Sequence, residues 1–156
     1  DIPTSKYLKK TFAYCFKKTF NEYPPILDLN IIKKKMYFYD DKKKYLIETV
    51  NVKHGKVNSI CYIIEKKVAY ISDVSEIAKK DYYQFKNLEY LILDCLWYDK
   101  KHSSHLNLKQ SLQLIEIFKP NKAILTNLHS DIDYNELKKK LPKNTIPAFD
   151  GLTINF

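Results

Sequence analysis

Four side chains able to hold a metal ion or move a proton follow apolar runs: His54, Asp73, His105 and His129. His54 comes after the run at 45–52, Asp73 after Val68 to Ile71, His105 after 91–93 by way of a loop, and His129 after 123–125. Of the four histidines only His102 falls elsewhere. Each has a plain explanation on its own, because a loop histidine is usually a surface or hydrogen-bonded group and an Asp beside Ser75 can cap a helix. Taken together, imidazoles and a carboxylate at successive strand ends form a donor set suited to Zn, Mn or Fe, and a carboxylate can bridge two ions.

Positioning these groups falls to the stretch Tyr90–Tyr134. Leu91-Ile92-Leu93 is a short continuous apolar run, as in a strand covered on both faces, and polar residues begin at Asp94-Cys95. Leu108, Leu112, Ile115 and Phe118 recur at helical spacing, with Asn107 as N-cap and Pro120 past the end. Ala123-Ile124-Leu125 is a second buried strand that runs into Thr126, Asn127, His129, Asp131 and Asp133. Strand, crossover helix and strand form a βαβ unit, so both strands end on one edge of the sheet, and His105 and His129 are expected to face one crevice there.

Elsewhere the pattern predicts a helix over 5–20 capped by Thr4 or Ser5 and ended at Tyr23-Pro24-Pro25, and extended segments at 26–29 and 31–39. A turn at Asp40-Asp41-Lys42 leads into a strand at 45–52, and strands 59–64 and 68–71 pair across Glu65-Lys66-Lys67. Helices are expected at 76–85 and 135–141, the second stopped by Pro142, and a terminal strand pair at 146–150 and 152–156 across Asp150-Gly151. There is no internal repeat and no low-complexity linker.

A chain of 156 residues with 45% apolar content suffices for one core, so a single domain over 1–156 is expected. No apolar run approaches the length of a membrane span and no signal peptide opens the chain, which points to a soluble cytoplasmic protein. The net charge of +9 raises the prospect of a nucleic-acid partner, but every one of the 27 basic residues is Lys. Bidentate reading of bases or phosphates normally calls on Arg, so nucleic acid is not the favoured partner. Cys15, Cys61 and Cys95 lack CxxC spacing and read as buried thiols, not a disulfide framework or a zinc knuckle. The tyrosine-rich segments Tyr37-Phe38-Tyr39 and Tyr82-Tyr83 are candidates for an interface, a homodimer included, with core and edge packing the simpler explanation.

His54-Gly55, Ser72-Asp73, His105 within HSSHLNL, the run LTNLHSDIDY and Phe149-Asp150-Gly151 together resemble the C-terminal part of metallo-β-lactamase-fold hydrolases. The resemblance is to the cyclic phosphodiesterases related to the phosphonate-pathway enzyme, with tRNase Z more distant. It implies an α/β fold, the C-terminal portion of an αββα four-layer sandwich, and two divalent ions, Zn or Mn. It further implies His54 as a ligand to one ion, Asp73 as a bridge between two, and His105 as general acid or phosphate contact. The substrate implied is a small or cyclic phosphodiester, hydrolysed by a hydroxide bridging the metals. For the last ligand, the related enzyme has His directly after Thr where this chain has Asn127. His129 is the favoured ligand over Asn127, because an amide is a poor zinc ligand and a strand's period of two would direct both residues the same way. Asp131 and Asp133 are the fallback candidates.

The resemblance also has a gap, because the family's His-x-His-x-Asp-His motif, which lies upstream of the region matching Ile2-Pro3, is absent from the chain. Asp1 is not an initiating Met, so further sequence upstream is expected; the other reading is a truncated, inactive remnant serving as a structural or partner subunit. An RNA-processing nuclease of the same fold is the alternative activity.

Overall fold

A computed structural model of the chain describes residues 2–17 and 24–156. It divides into two units, 1–34 and 35–156. In the first, α1 (Ile2–Thr11) is followed by α2 (Ala13–Phe16), and the Cys15 carbonyl accepts from the backbone amides of both Ile26 and Leu27. Residues 26–34 form no strand, and the first strand begins only at Lys35. The expected helix over 5–20 is thus two shorter helices, and its final residues and Tyr23 lie outside the described part.

The second unit is built on a seven-stranded sheet whose spatial order is its sequence order, β1 to β7. The strands are β1 (Lys35–Asp40), β2 (Lys43–His54), β3 (Val57–Ile64), β4 (Val68–Ile71), β5 (Tyr90–Asp94), β6 (Lys122–Thr126) and β7 (Thr145–Pro147). The pairings of β1 with β2, β2 with β3 and β3 with β4 are antiparallel; β4 to β7 are parallel. Two reversals between β2 and β4 give those strands the same direction. The C-terminal ends of β2, β4, β5 and β6 therefore all open on one edge.

Register decides which side chains are covered. Ile63, Ala69, Leu91 and Ala123 form one row across the sheet, and Ile71, Leu93 and Leu125 the next. All seven are buried and pack with Leu114, Ile115 and Phe118 of α3 (Leu108–Phe118) and with Phe85 of a 3-10 helix at Lys79–Phe85. At about 25 cal/mol per Å² of apolar surface removed from water, this layer is the main source of stability of the unit.

The βαβ unit is present, with Asn107 as the expected N-cap. Asn107 and Gln110 form a capping box at the start of α3, and Lys119 closes its end in the left-handed conformation. Where a full helix was expected at 76–85, the chain makes only the 3-10 turn. The helix after β6, α4 (Tyr134–Lys140), is capped by Asp133, whose side chain accepts from the Glu136 amide. The expected terminal strand pair does not form. After β7 the chain turns at Gly151, with φ of +89°, and 152–156 pairs with no strand.

Candidate metal centre

His54 is the last residue of β2, and Gly55 turns the chain into β3 with φ of +63°. A Cβ at Gly55 would stand 3.1 Å from Cβ of Ser104 and 3.4 Å from the Ser103 carbonyl, so the absence of a side chain lets the 101–105 loop lie against this turn. The contact is used at once: His54 Nδ1 is 2.8 Å from the Ser104 carbonyl oxygen, to which it donates. The segment after β4 is tied to the same turn. Ser75 Oγ accepts from the Gly55 amide at 3.0 Å and donates to the Lys53 carbonyl, while Ser59 Oγ donates to the Asp73 carbonyl at 2.5 Å.

His105 reaches the site from the loop between β5 and α3. Its Nδ1 lies 3.0 Å from Asp94 Oδ2, at the end of β5, and the same carboxylate oxygen accepts from the Leu106 amide at 3.0 Å. Asp94 is fully buried. Burial pushes its carboxyl above the usual carboxylate range, opposed by the Leu106 amide, the His105 ring and the Asn127 amide, which favour the charged form. Helix α3 is anchored on the same residue, because Ser111 Oγ donates to the Asp94 carbonyl at 2.7 Å.

The outcome is a trio: one ligand atom each from His54, Asp73 and His105 lies within 4.8 Å of the others, and the two imidazole centroids are 4.7 Å apart. The donor chemistry fits a divalent cation. Both rings are held through Nδ1, one by a carbonyl and one by a carboxylate, so in the neutral tautomer the lone pair is on Nε2, and Asp73 adds an exposed carboxylate.

The other sequence-derived candidates stand around this trio. His129 is on the same edge, beyond the rings of His102 and Trp97; His105–His102, His102–Trp97 and Trp97–His129 centroids are 5.2, 5.5 and 5.0 Å apart. Its Nδ1 is 3.2 Å from the Asp131 amide and 3.4 Å from the Asp131 carboxylate. The amide hydrogen is fixed by the backbone, so Nδ1 is the acceptor and Nε2 carries the proton of the neutral ring. Strand alternation does not extend to His129, because β6 ends at Thr126 and Asn127 is left-handed, with φ of +60°. Asn127 itself touches the site: its Nδ2 donates to Asp73 Oδ1 at 3.3 Å, to Asp94 Oδ1 at 3.1 Å and to the Ser72 carbonyl. Asp133 is the α4 cap. Asp94 received no role from the sequence, although the signal was there in a buried strand that ends on a carboxylate.

A family model described as a beta-lactamase superfamily domain matches residues 1–127. The chain belongs to the beta-lactamase superfamily. Among solved structures, a diphosphatase of the PhnP family superposes on 98% of the chain with a TM-score of 0.82 at 24% identity, and the chain covers 55% of it. Human tRNase Z, short form, follows with a TM-score of 0.59 at 13% identity, covering 78% of this chain and 46% of that one. The metallo-β-lactamase-fold protein YhfI from Bacillus subtilis gives 0.59 at 16% identity over 74% of this chain and 49% of its own. These likenesses establish the metallo-β-lactamase fold expected from the sequence. A curated relative, an octanoyltransferase of Porphyromonas gingivalis, is 28% identical over 148 residues, which are 93% of this chain but 29% of that protein. The chain thus spans about half of the diphosphatase and under a third of the curated relative. Among the described residues no helix is long and apolar enough to cross a membrane.

Proposed function

We propose that this chain carries the chemistry of a metal-dependent hydrolase acting on a small or cyclic phosphodiester. The observation that carries the reading is the convergence of His54, Asp73 and His105 at the strand ends of a metallo-β-lactamase-fold sheet. Zn or Mn suits two imidazoles and a carboxylate. When bound, such an ion supplies a Lewis acid and lowers the pKa of its water to about 7.

The chain's own residues do the rest. Ser104 and Asp94 hold the two imidazoles through Nδ1, which would leave Nε2 of each free for an ion, and Asn127 orients the carboxylates of Asp73 and Asp94. His105 is then a ligand in place of His129, and not the general acid.

The test is hydrolysis of bis(p-nitrophenyl) phosphate by the metal-loaded protein, with elemental analysis of His54→Ala and His105→Ala. Both variants are expected to lose the ion together with turnover. Full metal content with turnover lost in His105→Ala would return His105 to the general-acid role, and wild-type levels of both would end the proposal.

One feature favours the RNA-processing alternative. The β1–β2 hairpin exposes Tyr37, Phe38 and Tyr39, and Lys44 Nζ lies 3.8 Å from the Tyr37 ring centroid, a pairing of stacking surface with cation that suits single-stranded nucleic acid. Oligonucleotide binding that weakens steeply between 50 and 200 mM salt, as expected of phosphate contacts, would support it.

A further inference from the structure

Beside the trio a row of rings leads outward along the sheet edge. The His102 centroid is 5.2 Å from that of His105, Trp97 follows at 5.5 Å and His129 at 5.0 Å. The last two contacts meet at 76° and 55°, so neither imidazole lies flat on the indole. His102 is exposed, and the His129 side chain keeps 36% of its surface open. Core packing does not account for these rings, since none of the three belongs to the core cluster.

The backbone sets both imidazoles alike. The Ser104 amide is 3.3 Å from His102 Nδ1, as the Asp131 amide is 3.2 Å from His129 Nδ1. An amide N–H can only donate, so each neutral ring carries its proton on Nε2 and offers an N–H together with a π face. Trp97 is fixed between them by Leu108, whose amide donates to the Trp97 carbonyl. At the outer end Lys100 Nζ lies 5.3 Å from the Trp97 ring centroid and 3.9 Å from Asp131 Oδ2. These two charges offset one another, and the row suits a neutral planar group better than a second phosphate.

We propose that Trp97, His102 and His129 form a subsite for the nucleobase of a nucleotide phosphodiester whose phosphate lies at the trio. The inference rests on the hydrolase reading and narrows its substrate class. Every base has a π face, so stacking on these rings selects for the presence of a base and not for one base over another. Trp97 is the one tryptophan of the chain, and its fluorescence reads the subsite directly. Adenosine monophosphate and ribose phosphate, which lacks the base, are titrated into the protein with and without zinc.

Adenosine monophosphate is expected to quench the indole, and ribose phosphate to leave it unchanged. His102→Ala and His129→Ala should each weaken adenosine monophosphate binding by about 5- to 150-fold, the factor carried by one lost stacking contact. His129→Phe keeps a ring without the N–H and should bind nearly as the wild type does; binding as weak as that of His129→Ala would make the N–H the contact and overturn the stacking. Equal quenching by ribose phosphate, no quenching under either condition, or unchanged binding in either alanine variant would overturn the inference. Such a failure alongside hydrolysis of bis(p-nitrophenyl) phosphate would spare the hydrolase reading, whereas base-dependent quenching without hydrolysis would overturn that reading and leave the subsite standing.

Discussion

Asp94 shows how one buried carboxylate serves several partners. It accepts from His105 Nδ1, the Leu106 amide and Asn127 Nδ2 with no exposure to solvent, so its removal leaves buried donors without acceptors. Asp94→Ala is expected to destabilise the unit by about 1–3 kcal/mol, the usual desolvation cost of orphaned groups. It should also free the His105 ring to rotate, with metal affinity falling about 10- to 100-fold. Urea unfolding and zinc competition measure the two effects separately, and unchanged affinity would show that His105 is held by other contacts. At this scale the residue types were legible in the sequence but their partners were not. A carboxylate ending an apolar strand was visible; that it would bind a histidine in the following loop depends on where the loop returns.

At the scale of elements, the site depends on close approach between the β2–β3 turn and the 101–105 loop. Gly55 makes that approach possible through its positive φ and through the 3.1 Å that a Cβ would leave to Ser104. Gly55→Ala should cost about 1–3 kcal/mol of stability for the left-handed backbone, and more if Ser104 cannot retreat. If Ser104 moves, the hydrogen bond from His54 to its carbonyl lengthens, so zinc affinity should fall along with the melting temperature. A variant as stable as the wild type would show that the turn accepts a side chain. Helix α3 and its flanking strands could be read in advance because the Asn107 cap, periodicity and Pro120 are all local signals. The tail at 152–156 could not, because alternation alone does not supply a neighbouring strand, and Gly151 takes the chain into a turn.

For the whole molecule, the buried thiols set an alkaline limit. Burial pushes Cys61 and Cys95 up from 9.0 to about 12, and both lie in the core. The folded state keeps each proton that the unfolded chain releases above pH 9, so the stability these thiols contribute is whole below pH 9 and declines as pH rises towards 12. The slope is about 1.4 kcal/mol per pH unit for each thiol. Urea midpoints measured at pH 8, 9 and 10 should fall increasingly fast, and Cys61→Ala should flatten the decline relative to its own value at pH 8. An unaltered slope would place the alkaline loss in other groups. The same burial predicts that alkylating reagents modify these two thiols only when the protein unfolds.

The order of residues by itself determined the βαβ unit, the antiparallel pairing of β3 with β4, a set of strand-end donors made of His54, Asp73, His105 and His129, and the likeness to metallo-β-lactamase-fold proteins. The elements follow from periodicity, caps and the direction of consecutive strands, all of which act over a few residues, while the likeness rests on the matching motifs from His54-Gly55 to Phe149-Asp150-Gly151. Only the tertiary structure decided which donors meet. Asn127 and His129 are two residues apart, yet the left-handed backbone at Asn127 breaks the alternation of β6, directing one amide to Asp73 and Asp94 and leaving the imidazole beside Trp97. The physical reason is that a side chain's direction at a strand end is set by one backbone dihedral and by contacts with segments 33 and 55 residues away, between Asn127 and Asp94 or Ser72. Neither the dihedral nor the contacts are written in the local pattern.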